Sequence, residues 1–258
     1  FKDIKGLIGE VMGKAIGCSG GYGGSQHLVN NNYLSNGIQG GMVPIATGIG
    51  LYYRKSGIDA ISVAYIGDGT LGEGIIYESF NIASNWEIPL LVVLENNQYA
   101  QSTSIKQSFS GNIQKRVEGF GLKYFSTSTN NLEDLDSKTK QAVEYVRKNN
   151  APAFIEISTN RLNAHSKGDD NRSTGDIESY RNEDIINNIV IKGIPNITDI
   201  ISSEINEHKI KSSSYDKTIL HKKDNFNIIE SKRNILLSDG INLIPIMNCE
   251  YVDPYHTF

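Results

Sequence analysis

Cysteine is nearly absent from this chain: its 258 residues include two, Cys18 and Cys249, close to opposite ends. That spacing excludes a disulfide framework or a cysteine-based zinc site and points to a reducing, cytoplasmic compartment. Long apolar runs are also missing, and none approaches the ~20 residues needed to cross a bilayer. No basic block interrupts a sequence whose net charge is −4. Neither a membrane nor nucleic acid is therefore the expected partner. No internal repeat occurs, which removes solenoid architectures. The chain opens at Phe1 with no initiator Met, signal or transit segment, and stops at Phe258 soon after an apolar run. Both ends read as cuts within a longer protein.

Glycine is plentiful and uneven, with 18 of 25 in residues 1–74. Apolar residues are interleaved among them, so tight turns and close backbone approaches are expected instead of a flexible linker. Residues 3–16 are predicted to form an amphipathic helix with Ile4, Leu7, Ile8, Val11 and Met12 on one face. A glycine-rich loop over 20–27 follows, and then a helix over 41–55, where Ala46, Gly48 and Gly50 permit close packing.

Ile61–Ile66 and Leu90–Leu94 are continuous apolar runs, as expected for strands of a parallel sheet buried on both faces. Helical spacing over 74–86 and 132–148, and a strand over 153–157 after Pro152, complete an alternating pattern. The predicted fold class is α/β: a doubly wound parallel sheet with helices on both faces. A polar loop is expected from Arg161 to Arg181, then two short helices over 183–211 and a Ser-, Lys- and Asn-rich linker over 212–234.

Chemistry concentrates at two strand ends. The first run closes on Gly67-Asp68-Gly69-Thr70, the second on Glu95-Asn96-Asn97, with 29 residues from Asp68 to Asn97. Asp-Gly after a strand is ordinarily a hairpin turn, but here a helix intervenes and the next strand arrives too late. In open α/β sheets ligands sit beyond the carboxyl ends of strands. Glycines there let backbone N–H groups reach phosphate oxygens. Asp68 supplies formal charge to a divalent cation, Asn97 a neutral oxygen and Tyr99 a main-chain carbonyl. Two phosphate oxygens and a water complete the octahedron Mg²⁺ prefers.

Gly67-Asp68-Gly69 followed by Asn96-Asn97 resembles the thiamine-diphosphate signature. The longer stretch Gly67–Thr103, with Glu78, Asn81, Ala83, Trp86, Pro89 and Tyr99, resembles the alpha subunit of the 2-oxo acid dehydrogenases. So do Gly23-Gly24-Ser25-Gln26-His27, Asn36-Gly37-Ile38-Gln39-Gly40 and Arg161-Leu162-Asn163-Ala164-His165-Ser166. The resemblance runs from about residue 6 to residue 182. It implies the thiamine-diphosphate-binding fold over 1–182, with its N-terminal part missing, and Mg²⁺ held by Asp68, Asn97 and the Tyr99 carbonyl. It further implies that Gly69 and Thr70 give backbone N–H groups to the diphosphate, that the Gly37 main chain lies against the aminopyrimidine, and that Gly67 and Gln39 also bind the cofactor.

By the same resemblance His165 lies over the cofactor and is the candidate catalytic residue, since imidazole exchanges protons near neutrality. Asn163 stands where many relatives have a second histidine. Ser166 matches a position phosphorylated in some relatives, and an ordinary loop serine is the expectation here. His27 also matches, with a structural role as open as a catalytic one.

The implied activity is oxidative decarboxylation of a small 2-oxo acid, the acyl group passing to the lipoyl carrier of an acyltransferase or to another acceptor. The glutamate that activates the cofactor is expected from a beta subunit or a fused beta-like domain. Residues 183–234 would be a helical extension and linker. Residues 235–258 faintly resemble the start of the beta half, and a plain C-terminal extension stays open. Two other readings also remain: a noncatalytic cofactor-binding scaffold, and another thiamine enzyme such as a transketolase.

Overall fold

The computed structural model describes residues 4–30, 32–166, 168–185 and 197–215. Its centre is a four-stranded parallel sheet made of β3 (Ser62–Gly67), β4 (Leu90–Asn96), β7 (Lys123–Ser128) and β8 (Ala153–Ser158), in the order β3-β4-β8-β7. Two short antiparallel pairs stand apart from it: β1 (Val29–Asn30) with β2 (Tyr33–Leu34), and β5 (Tyr99–Ala100) with β6 (Thr103–Ser104).

Chain direction across the sheet explains the layers. From β3 to β4 the chain steps one way through α3 (Gly74–Asn85); from β7 to β8 it steps back through α6 (Leu132–Asn149). Right-handed crossovers stepping in opposite directions put their helices on opposite faces. The packing agrees. α2 (Met42–Lys55) and α3 bury Val43, Ala46, Ile76, Phe80 and Ala83 against Ala64, Ile66, Leu90, Val92 and Phe154. On the other face α6 buries Ala142 and Val146 against Leu91, Val93, Ala153 and Ile155. The expected doubly wound α/β fold is therefore present, and β4, covered on both sides, is buried at every position but Glu95.

Strand β3 departs from expectation. It alternates, with Val63 40% and Tyr65 66% exposed, because among the described residues it is an edge strand whose α6-side face has no covering helix. The helix ends follow local chemistry. Asn131 caps α6 by accepting the Asp134 N–H, Arg147 and Lys148 occupy the last turn, and Asn150 leaves in the left-handed conformation. The predicted close approach on α2 holds at Gly50, where a Cβ would lie 2.6 Å from Ser62 Oγ and 2.7 Å from an Ile88 methyl; Gly48 faces open space.

Two expectations about helices need correction. The first helix, α1 (Ile4–Val11), ends well before residue 16, since Gly13 turns the chain with φ +63. Its buried residues are Gly6, Gly9 and Glu10, while Ile4 and Val11 are exposed. Glu10 turns inward because its carboxylate accepts backbone N–H groups of Ser19 (2.7 Å), Gly21 (2.8 Å) and Gly23 (2.5 Å), folding the glycine-rich loop around itself. The polar loop after β8 stops at Ser173, whose hydroxyl accepts the Asp176 N–H and starts α7 (Thr174–Asn182). Of the two helices expected over 183–211, the described residues include α8 (Ile197–Ser213), which packs on α1; residues 186–196, where the other would lie, are outside the described residues. Two small helices not foreseen, α4 (Ile105–Ser108) and α5 (Ile113–Gly119), lead from β6 to β7. Of the expected linker, 212–215 belongs to the end of α8 and the turn after it; the rest, with the beta-like stretch 235–258, lies outside the described residues.

Phe80 concentrates the larger core. It is fully buried and meets Tyr77 and Phe154 edge-to-face, with ring centroids 5.8 and 6.0 Å apart. Phe80→Ala is expected to cost about 3–5 kcal/mol in urea unfolding, from lost burial plus the cavity left behind. A loss below about 1 kcal/mol would place the core elsewhere.

Candidate functional site

Parallel pairing sets Gly67 level with Glu95, and Asn96 level with Ser158. The chain therefore leaves β3, β4 and β8 side by side, at one edge of the sheet.

After β3, residues Asp68–Gly72 form a single 3-10 turn. Asp68 is 2% exposed, and its Oδ2 has no hydrogen-bond partner among the described residues. Burial pushes its carboxyl above the ordinary range, opposed by its own backbone N–H and by the Arg161 guanidinium. Gly69 lies beneath the β5–β6 hairpin; a Cβ there would sit 2.5 Å from Ala100 Cβ. Thr70, buried, donates its hydroxyl to Gln39 Oε1 at 2.7 Å. The Gln39 and Thr70 predicted from separate motifs are thus in contact. Gly37 is exposed and closely faced by the Gln26 side chain, which a Cβ would strike.

After β4, Asn97 Oδ1 accepts the Tyr99 N–H at 3.0 Å, an Asx turn that leaves its second lone pair free. Gln98, between them, has φ +68, in the left-handed region. Tyr99 opens the hairpin that rests on Gly69. Asp68, Gly69, Asn97 and Tyr99 are therefore gathered in one place. An acceptor with no donor, in a turn that packs against the segment carrying these neutral oxygens, suits a hard cation. Among the described residues no three His, Cys, Asp or Glu gather as a metal site of their own, so a cation here would rest on one carboxylate plus neutral oxygens.

His165 lies in the loop after β8. It is exposed, and its ring makes no hydrogen bond among the described residues. What orders this loop is Arg172, whose guanidinium forms two bonds to Asp170 (2.8 and 2.7 Å) and donates to the carbonyls of Arg161 and Asn163. Its charge lies 5.8 Å from the centre of the Tyr99 ring. Arg172 holds the Asp170 carboxyl down at about 2. Arg161 donates to Gln101 O at 2.8 Å, and Asn171 to Ser102 O at 3.2 Å, so the loop is fastened to the hairpin. Asn163 accepts from Arg181 at 3.3 Å, while Ser166 is tied to Asp169 through backbone and hydroxyl. His27 is exposed, and its backbone closes the glycine-rich loop through Gly23.

The pattern of the dehydrogenase E1 component family matches residues 2–219. The chain belongs to that family. It is 39% identical over 189 residues to the pyruvate dehydrogenase E1 component subunit alpha of Rickettsia bellii, covering 71% of this chain and 58% of that protein. The Rhizobium meliloti subunit is 33% identical over 185 residues, covering 69% and 53%. A testis-specific, mitochondrial alpha subunit from rat is 30% identical over 195 residues, covering 74% and 48%. This E1 chain thus spans about half the length of the curated relatives it matches.

Sequence reasoning passed over Arg172 and Arg161, which couple the His165 loop to the hairpin, and Glu156 of β8. Asp170-Asn171-Arg172 carried a usable signal, since an acid and a base two residues apart in a loop can close on each other. Glu156 also stood out as a charge within the apolar run Ala153–Ile157.

The Asp68 carboxyl carries a pH signature in the metal-free E1 chain. A carboxyl raised by folding holds its proton more tightly folded than unfolded, so stability falls as pH climbs from the ordinary carboxylate range up through the raised folded value. Asp68→Asn removes the buried charge. It is expected to raise the thermal midpoint of the metal-free protein at pH 7, with the gain vanishing below about pH 3. Unfolding scans across pH on both proteins check this, and an Asp68→Asn protein less stable than the parent at pH 7 would refute it.

Proposed function

We propose that residues 1–182 bind thiamine diphosphate through Mg²⁺, and that the chain is the alpha part of a 2-oxo acid dehydrogenase. The complete protein would oxidatively decarboxylate a small 2-oxo acid and pass the acyl group to a lipoyl acyltransferase. The observation that carries this is the buried, unpartnered Asp68 oxygen beside Asn97 and Tyr99, within a chain of the E1 family. The fit is chemical: two phosphate oxygens supply charge that three protein oxygens, only one of them anionic, do not.

Asp68, Asn97 Oδ1 and the Tyr99 carbonyl would hold the cation. The backbone at Gly67, Gly69 and Thr70 would meet the diphosphate, and the Gly37–Gln39 segment the aminopyrimidine. Bound thiamine diphosphate supplies the electron sink that lets carbon dioxide leave. His165 would face substrate and move a proton there, and the Arg172–Asp170 pair holds the loop that carries it. The glutamate that activates the ring would come from a beta subunit or fused domain, with 183–234 as extension and linker and 235–258 as the possible start of that half. Pyruvate, named in the relatives, is the first acid to test. No described helix is long and apolar enough to cross a membrane, and a cytoplasmic location belongs to the proposal.

A scaffold that had lost the cofactor would gain nothing from keeping Asp68 buried and unpaired; a scaffold that still binds the cofactor is separated from the enzyme by turnover of 2-oxo acids. In calorimetry on the full-length protein with its beta partner, Asp68→Ala is expected to remove Mg²⁺-dependent binding of thiamine diphosphate. His165→Ala is expected to keep that binding and lower turnover of pyruvate by about 10²–10⁴-fold. Unchanged metal-dependent affinity in folded Asp68→Ala protein would sink the assignment.

A further inference from the structure

Glu156, near the carboxyl end of β8, takes no direct part in the cluster around Asp68. Its carboxylate nonetheless receives two hydrogen bonds there, one from Asn96 Nδ2 at 2.7 Å and one from the Tyr124 hydroxyl at 2.7 Å. Asn96 is itself buried, and its Oδ1 accepts both the backbone N–H of Gln98 (3.1 Å) and the Gln98 side-chain amide (2.8 Å). A continuous chain of donors and acceptors therefore runs from Tyr124 through Glu156 and Asn96 to Gln98. Gln98 is the left-handed residue between Asn97 and Tyr99.

We propose that Glu156 is a positioning residue for the cation turn: it fixes which end of the Asn96 carboxamide faces Gln98, and so fixes the Asn97–Tyr99 backbone. The inference rests on the reading of that turn as the Mg²⁺ site. The two ends of a carboxamide have nearly the same shape, so packing distinguishes them poorly and hydrogen-bond partners decide. Packing is looser still here, because Asn96, Gln98, Tyr124 and Glu156 line a cleft of about 340 Å³. A carboxylate only accepts, so it selects the NH₂ end of Asn96 and sends Oδ1 toward Gln98. In the reversed orientation the Asn96 NH₂ would face the Gln98 backbone N–H, donor against donor, and the carboxylate would face an oxygen; the Gln98 side-chain amide could turn to follow, but the backbone could not.

Tyr124 supports the same orientation by occupying the other carboxylate oxygen. Burial and then Glu156 push its hydroxyl well above the usual phenol range, so it stays a donor. The left-handed backbone at Gln98, unfavourable for a residue with a Cβ, is held by the bonds it makes to Asn96. Release of Asn96 would let the Asn97 oxygen and the Tyr99 carbonyl drift apart.

The test uses the full-length protein with its beta partner and four variants: Glu156→Leu, Asn96→Ala, the two combined, and Glu156→Gln. Two quantities are read: backbone amide exchange at Gln98 without metal, and the Mg²⁺ concentration at half-saturation of thiamine diphosphate binding. Glu156→Leu and Asn96→Ala are each expected to speed exchange at Gln98 and raise half-saturating Mg²⁺ by about ten- to hundredfold. The combined variant should be no worse than Asn96→Ala, because both act along one path. Glu156→Gln should match the parent, its oxygen still accepting from Asn96 and its NH₂ donating to the Tyr124 oxygen.

Parental exchange at Gln98 in folded Glu156→Leu, or additive losses in the combined variant, would overturn the inference. If the parent shows no Mg²⁺-dependent binding, the cofactor reading itself has failed, and amide exchange alone then decides the relay. Faster exchange in Glu156→Leu but not in Glu156→Gln supports it, and equal exchange in both overturns it.

Discussion

Parallel register is the constraint from which the site follows. Six consecutive residue pairs join β3 to β4, six join β4 to β8, and β4 is closed on both faces. A slip of one residue would turn the buried side chains of β4 to the opposite faces, so the register is strongly specified. Because it is fixed, the chain must leave all three strands at one level. The 3-10 turn at Asp68, the Asx turn at Asn97 and the loop after Ser158 are then neighbours, although Asp68 and Ser158 are far apart in sequence. The long-range geometry of the site belongs to the sheet; only its last few ångströms belong to the loops.

Those last ångströms are set by hydrogen bonds with clear directionality. On the β3 side, Gly69 lets the hairpin settle onto the turn, and Thr70 reaches Gln39. On the β8 side, the Arg172 guanidinium directs its donors to Asp170 and to two backbone carbonyls of the loop. A side chain that is 1% exposed and paired in this way is costly to leave half-made. The loop bearing His165 therefore has a defined path at its base, while the imidazole stands out in solvent.

The features legible in the sequence were those encoded over short spans. Gly67-Asp68-Gly69 and Asn96-Asn97 announced themselves because strand, turn and helix signals sit beside them, and helical spacing over 132–148 marked α6. Features that depend on distant partners were misread. Ile61–Ile66 looks as apolar as Leu90–Leu94, yet one lies at the described edge and the other at the centre; composition does not encode a neighbour. Glu10 sat on the face expected to be polar, and only the folded glycine loop reveals the three N–H groups that draw it inward. Lys123–Ser128, a polar edge strand, has little periodic signal, and α7 was hidden in what read as loop because its cap, Ser173, is one serine among several.

Four carboxylates with reduced solvent exposure make the strongest argument about where function lies. Glu10 accepts three backbone N–H groups; Glu156 accepts an amide and a phenol; Asp170 accepts a guanidinium. Each is satisfied, and each organises backbone. Asp68 is among the most buried and has one oxygen with no partner among the described residues. Burying a charge without compensation is among the costliest things a fold can do, and nearby Arg161 offsets only part of that cost. Evolution of stability alone would replace Asp68 or give it a donor, as it has for the other three. That state, next to oxygens that also lack charge of their own, is what the proposed cation, arriving with its own anionic ligand, would relieve. The same reasoning separates the four carboxylates: the three satisfied ones build the frame, and the unsatisfied one is where the proposed cation would bind.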